Sequence, residues 1–351
     1  MISARPKRSS HVPGKVALPS VDVVICCYTF DRWDLITRAV ASVVAQSVLP
    51  ERLIISVDHN EELFERCRAE WESAGERSPI EFIVVANQFA GRLGSTRNTA
   101  LLHCRADVVA FLDDDAEAVP DWLERILDVY ASHPEAVAVG GAPIPNYGAP
   151  RPSWFPTDFD WVFGCHYRSL PTHLAPVRHL IGANMSVRRD DILAVGGFHA
   201  DDHDDMDLSH RIAHQHGPDA VLYEPLATVR HFVSPGRLTW DYFWRRCFYV
   251  NRSKVGAFAE LGEGGNLSAE LRFVVGVMLA LFPALRAAML GKPERLRQAV
   301  VAVAGVGLAG AGHLAGRVRL ARNGLPQNPT PGLTAADVER ARASSGVPDD
   351  A

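Results

Sequence analysis

Four apolar runs, each no longer than a buried strand, alternate with helical stretches through the first third of the chain. They occupy residues 21–28, 52–58, 80–86 and 107–112. The first reads Val-Asp-Val-Val-Ile-Cys-Cys-Tyr, nearly continuous, as an inner strand covered on both faces requires. Between the runs, 33–46 carries Leu35, Ala39, Val43 and Val44 at helical spacing. Residues 60–71 read as a charged amphipathic helix and 94–104 as a third helix. A β-α-β-α-β-α-β order has one economical solution, an α/β Rossmann-like fold: a mostly parallel central sheet with helices on both faces. At 47% apolar and 22% charged residues, the 351-residue chain has the composition of a globular protein.

The fourth run ends in Asp113-Asp114-Asp115. Three adjacent carboxylates at a strand end repel one another and call for a positive partner. A divalent cation is the simplest, because Mg²⁺ or Mn²⁺ takes carboxylate oxygens and keeps positions open for substrate phosphates. Ligands of open α/β sheets collect beyond the carboxyl ends of the strands. The triplet is therefore either the floor of a diphosphate site or a solvated acidic turn before the helix expected over 119–132. The other strand ends should share its rim. They carry Tyr28 to Asp31, then Asp58, then Asn87 with Arg97-Asn98. Asp58 either accepts hydrogen bonds from a base or ribose or caps the next helix. Arg97 either reaches a nucleotide or pairs with the rim acids. Gly91-Arg92-Leu93-Gly94 lacks the residue order of a phosphate-cradling loop, so phosphate charge must be met by metal and side chains.

After a further strand at 136–141 the chain changes character. Residues 142–180 are rich in proline, histidine and aromatic side chains, among them Trp154, Phe155, Trp161, Phe163 and Tyr167. A long irregular segment inside a domain is usually functional. It reads as an acceptor-binding segment or as a packed cover over the sheet. A strand at 180–189, a short helix at 190–195 and the turn Gly196-Gly197-Phe198 follow. A second acidic cluster comes next: Asp201, Asp202, Asp204, Asp205 and Asp207. Asp204 and Asp205 open a helix, where a carboxylate stays ionised and suits a general base. Two closing strands are expected at 220–223 and 227–231. His231, at the end of the second, is a candidate third metal ligand or phosphate contact.

The ends of the chain read differently. Residues 1–20 carry Arg5, Lys7, Arg8 and Lys15 without an acid and without an apolar run after them, as in a disordered basic arm rather than a signal peptide. Residues 241–254 interleave aromatic and basic side chains, as an interfacial helix does. Two largely apolar segments, 273–290 and 299–316, are just long enough to span a bilayer. Positive charge flanks both on either side, which favours interfacial or re-entrant helices on the cytoplasmic face of a membrane over a clean two-span hairpin. A soluble helical pair is the third option. Residues 323–351 read as a disordered tail. Six scattered cysteines without a Cys-x-x-Cys pair fit a reducing compartment, and a net charge of -5 argues against a general nucleic-acid partner.

Taken together, these pieces resemble family 2 glycosyltransferases of the GT-A fold over roughly residues 20–255. The likeness is carried by Val24-Ile25-Cys26-Cys27-Tyr28-Thr29-Phe30-Asp31-Arg32, Ala45-Gln46-Ser47 and Gly94-Ser95-Thr96-Arg97-Asn98. Asp113-Asp114-Asp115 matches the family's D-x-D, and Gly182-Ala183-Asn184-Met185-Ser186-Val187-Arg188-Arg189 with Gly196-Gly197-Phe198 its acceptor-side signature. The opening is most similar to a subgroup of archaeal glucuronosyltransferases acting on dolichyl-phosphate glucose. The resemblance implies a nucleoside-diphosphate sugar donor, expected to be a UDP-sugar, with Mg²⁺ or Mn²⁺. It implies that Thr29, Asp31, Asp58, Arg97, Asp113 and Asp114 bind the nucleotide, that Asp113 and Asp115 face the metal, for which the strand-end His231 is the further candidate ligand, and that Asp204 and Asp205 are catalytic, Asp205 as base. It divides 21–255 into a nucleotide-binding half, 21–115, and an acceptor half, 116–255, followed by a helical membrane-associating region, 256–322. Asp204 departs from the family's Glu-Asp by one methylene. The Gln-x-x-Arg-Trp motif of processive synthases is absent, which favours a single transfer to a hydroxyl of a lipid-linked sugar or other glycan; inversion follows if Asp205 is the base for attack from the face opposite the leaving group. The alternatives are a sugar-nucleotide nucleotidyltransferase and a non-catalytic glycan-binding or scaffold protein.

Overall fold

The computed structural model describes residues 17–72, 78–199, 203–260, 268–324 and 332–343. Most of the expected basic arm lies outside them, as do Asp201 and Asp202. Strands β1 (Val21–Cys27), β2 (Arg52–Val57), β3 (Glu81–Ala86) and β4 (Val108–Asp113) form the parallel block. Helix α1 (Trp33–Val44) follows β1, α2 (Glu61–Cys67) follows β2 and continues as a π-helical turn to Glu72, and α3 (Leu93–Leu101) follows β3. Alternate residues of each strand supply opposite cores, as the two-residue period demands. Val23, Ile25, Leu53, Ile55, Ala110 and Leu112 pack with α1 on one face. Val24, Ile54, Val109 and Phe111 pack on the other with α3. The buried face of α1 is Ile36, Ala39, Val40 and Val43, so Val44, expected inside, is exposed.

Beyond β4 the sheet is mixed. Strand β5 (Ala116–Ala118) follows the acidic triplet directly, and α4 (Trp122–Ser132) comes after it. Strand β6 (Ala138–Tyr147) reaches far into the segment expected to be irregular, which also holds a 3-10 turn, Thr157–Phe163, and β7 (Ala175–Pro176). Strand β8 (Asn184–Arg188), α5 (Arg189–Ala194) and α6 (Asp204–His216) follow. The two closing strands expected at 220–223 and 227–231 are one, β9 (Val221–Val233). A register shift between Gly141 and Ala142 of β6 absorbs Pro225 and its neighbours, which resembled a break in the sequence. The order β3-β2-β1-β4-β8-β6-β9-β5 inserts antiparallel β8 between β4 and β6.

Three long helices follow: α7 (Trp240–Glu260), α8 (Ser268–Met289) and α9 (Pro293–Asn323). Pro283 does not end α8, which runs through it. Helix α9 approaches α7 backbone to backbone. A Cβ on Gly312 would lie 2.1 Å from the Phe248 carbonyl oxygen, and one on Gly316 2.4 Å from that of Arg252. Phe155, Phe159 and Phe163 form a third core with Phe243 of α7. These three rings of the aromatic segment are thus packed inside, mainly against the C-terminal helices. The expected tail is corrected over its described part. Helix α10 (Ala335–Ala343) packs Leu333 and Ala341 into the second core, and Thr334 and Asp337 cap it reciprocally.

Candidate active site

The acidic triplet and the second aspartate pair face one cavity of about 950 Å³. Asp58, Arg97, Asp113, Asp114, Asp115, Asp204, Asp205 and His231 all line it. Distant segments are brought together by pairing. Leu112, beside the triplet, pairs with Asn184 of β8, and Ala116, just past it, pairs with His231 of β9.

Arg97 joins the two acid groups. It is buried on α3, donates to Asp204 at 2.7 Å and to Asp113 at 3.1 Å, and also holds the Gly182 carbonyl at 2.9 Å. The one-methylene departure at Asp204 therefore does not cost it this partner. Burial raises Asp204 to about 6 even with the guanidinium beside it. Asp205 accepts from the Gly182 and Met206 amides, at 2.8 and 2.7 Å. It has no ion pair among the described residues. Burial raises its pKa, partly offset by those amides and by Arg97. Each carboxylate oxygen keeps a further lone-pair site, so Asp205 can still accept a proton.

At the other acid group, His231 Nε2 lies 3.0 Å from Asp115, while its Nδ1 meets Cys165 Sγ at 3.4 Å. Arg32 pairs with Asp114 at 2.7 Å and with Asp115 at 3.4 Å, and Arg237 approaches Asp115 at 3.8 Å. Burial pushes Asp114 up to about 7, and its Oδ2 is buried with no hydrogen-bond partner among the described residues. Asp115 is held below the usual carboxylate range. Burial alone would raise it, but His231, Arg32 and Arg237 outweigh burial. His231 is raised well above its ordinary value for the matching reason: Asp115 overcomes its desolvation. Ligand atoms of Asp113, Asp115 and His231 lie within 4.8 Å of one another. Two hard oxygens and one imidazole nitrogen suit a divalent cation such as Mn²⁺ and leave coordination positions open.

The remaining candidates divide. Asp58 lines the cavity and accepts from Asn87 at 2.8 Å. It does not cap α2; Asn60 does, accepting from the Leu63 amide at 3.0 Å. Thr29 and Asp31 lie outside the cavity lining. Thr29 Oγ1 accepts the Asp31 amide and so starts the 3-10 turn that aims Arg32 at the triplet. Other motif residues act as clasps. Gln46 holds the Val119 carbonyl at 2.8 Å and the Leu123 amide at 3.0 Å. Asn98 holds both backbone groups of Phe198 at 2.8 Å. Asn184 ties Trp122 to Ala227. Sequence reasoning missed Cys165 and Arg237, which carry no local pattern. It quoted Arg32 without a role; its place one turn past β1 was the available signal.

The sequence pattern of glycosyl transferase family 2 matches residues 22–195. The chain is 35% identical over 245 residues to the glucosyl-dolichyl phosphate glucuronosyltransferase of Haloferax volcanii, a match covering 67% of this chain and 76% of that one. This chain belongs to glycosyl transferase family 2, and it is a glycosyltransferase. It is also 31% identical over 137 residues to the succinoglycan biosynthesis protein ExoM of Rhizobium meliloti, covering 38% of this chain and 42% of that one. Among solved structures, a Pyrobaculum calidifontis mannosyltransferase in complex with GDP-Man and Mn²⁺ aligns at a TM-score of 0.49 and 18% identity, covering 95% of this chain and 90% of that one.

Proposed function

We propose that this glycosyltransferase moves one sugar, with inversion, from a UDP-sugar to a hydroxyl of a sugar carried on a polyprenyl or dolichyl phosphate. One observation carries the reading: both aspartate groups open into a cavity whose far wall is α8 and α9. Acidic chemistry and an apolar wall in one space suit an acceptor with a sugar at one end and a lipid at the other. The name of the Haloferax volcanii relative points to the same acceptor class.

In this reading Asp113, Asp115 and His231 hold Mg²⁺ or Mn²⁺. When bound, that cation neutralises charge on the departing diphosphate. Asp58 and Arg97 stand on the nucleotide side, with Asp114 held by Arg32 beneath it. Thr29 and Asp31 contribute by shaping the turn that presents Arg32. Asp205 takes the proton of the acceptor hydroxyl as that oxygen attacks the anomeric carbon. Asp204 keeps Arg97 occupied, so Asp205 remains free of a salt bridge that would weaken it as a base. Attack opposite the leaving diphosphate inverts the anomeric centre.

Helices α8 and α9 are both long and apolar enough to cross a membrane by length and composition. Helix α8 exposes Leu271, Val275, Leu279, Phe282, Leu285 and Met289. An apolar surface of that extent marks a contact with lipid or protein. We place it at the cytoplasmic face of a membrane, where the acceptor's lipid would reach the cavity.

The full chain, assayed against a panel of UDP-sugars with Mn²⁺ and glucosyl-dolichyl phosphate, should release UDP and form an inverted linkage. Chelation should abolish the reaction. Release of pyrophosphate, or turnover indifferent to chelator, would overturn the reading.

A further inference from the structure

Past Asp205 the cavity changes sign. Helix α7 sets Arg246 and Lys254 about two turns apart on one face, and both line the cavity. His179 lines it as well, with a buried Nδ1 that has no hydrogen-bond partner among the described residues. Neither Lys254 nor Arg246 is in an ion pair among the described residues; Arg246 only touches the Val162 carbonyl, at 3.4 Å. Glu270 is already engaged by Arg178 at 3.5 Å. Burial is the largest influence and holds the Lys254 ammonium below its ordinary pKa; Glu270 and Asp205 pull it up while Arg178 and Arg246 push it down. His179 is lowered well below its own by burial and then by Lys254. Arg178, Arg246 and Lys254 outnumber the two carboxylates, Glu270 and Asp205, that act on this spot; an excess of like charge in a half-enclosed space is costly, and an anion seated there removes that cost.

The wall next to these side chains is apolar in part, beside Glu270, Arg272 and His313. Phe273 of α8 and Val306 and Gly310 of α9 line it. A Cβ on Gly310 would meet nothing within 4 Å, so the space continues there.

We propose that Arg246, Lys254 and His179 form a subsite for the phosphate that joins the acceptor sugar to its lipid, with the lipid's first carbons running past Gly310. This subsite rests on the lipid-linked acceptor reading. It is separate from the donor diphosphate position at Asp113, Asp115 and His231. A phosphate held here would fix the acceptor sugar at a set reach from Asp205.

Calorimetric titration of the full chain in a nonionic detergent tests the idea with three probes: decyl phosphate, decyl glucoside and inorganic phosphate. Decyl phosphate should bind about tenfold or more tighter than either other probe, the worth of one charge-assisted contact. Lys254→Met and Arg246→Gln should each remove about that factor for decyl phosphate and leave decyl glucoside unaffected. Gly310→Phe should weaken decyl phosphate but not inorganic phosphate. Thermal melting checks that each variant is folded. Equal decyl phosphate affinity in wild type and Lys254→Met would overturn the subsite. So would inorganic phosphate binding as tightly as decyl phosphate. The acceptor reading is scored separately, by transfer to glucosyl-dolichyl phosphate. Failure of that transfer with Lys254-dependent decyl phosphate binding would sink the acceptor and leave the subsite. Intact transfer with an unchanged KM in Lys254→Met would do the reverse.

Discussion

The two ends of the cavity handle charge in opposite ways. At the donor end most acids meet a cation: Asp204 and Asp113 share Arg97, Asp114 has Arg32, and Asp115 has His231 with two guanidinium groups nearby. At the α7 end, Lys254 and Arg246 face the cavity with no ion pair among the described residues, and the nearby Glu270 is held by Arg178. Paired charges hold one another in place before any ligand arrives, and this is what a reacting centre needs. Unpaired charges of one sign hold nothing in place and wait for a ligand to balance them. Asp205 stands at the border, in neither set.

Breaking the border should cost most. Asp205→Asn keeps the shape but not the base, and kcat should fall about 10²–10⁴-fold, the usual worth of a positioned proton acceptor. The pH profile sharpens the point. Burial raises both Asp204, to about 6, and Asp205. The reactive form is the ionised one, so activity should be full above the raised pKa and fall as pH drops through it. That acid limb should lie above the 3.8 of an ordinary aspartate. A limb near 3.8 would mean that Asp205 is not the titrating base.

Arg97→Met attacks the paired end itself. It leaves two acids facing each other with no guanidinium between them, and breaking such a buried pair costs about 3–5 kcal/mol. Urea unfolding should show it as a lower midpoint, and a loss under 1 kcal/mol would mean that water already screens the pair. Gly312→Leu is the smallest of the three. Its side chain would meet the Phe248 backbone, so at least about 1–3 kcal/mol of overpacking is expected from a shifted denaturation midpoint. Because α7 carries the cations, this variant should also disturb the lipid end while sparing the donor end.

Much of this arrangement was legible in the chain. The parallel block was, because buried strands and amphipathic helices each carry a local period. The acids were, because Asp113-Asp114-Asp115 and Asp204-Asp205 stand at element boundaries. What escaped was set by pairing across long separations. Nothing near Asn184 announces that β8 runs antiparallel between β4 and β6. Nothing around Pro225 shows that β9 is continuous through a bulge. Helix α10 looked like tail because its apolar contacts, Leu333 and Ala341, are few and gain meaning only against the second core. Lys254 and Arg246 read as a membrane-facing stripe, since periodicity reveals that residues share a face and not what that face meets.

The seat of β8 has a consequence for how the chain can be divided. The expected boundary after residue 115 falls between β4 and β5, yet β4 borrows its outer neighbour from residues 184–188. A fragment ending there would present a bare row of amide and carbonyl groups along an inner, largely apolar strand, which is how proteins come to stick to copies of themselves. The two halves are woven together, and residues 21–115 are no separable module.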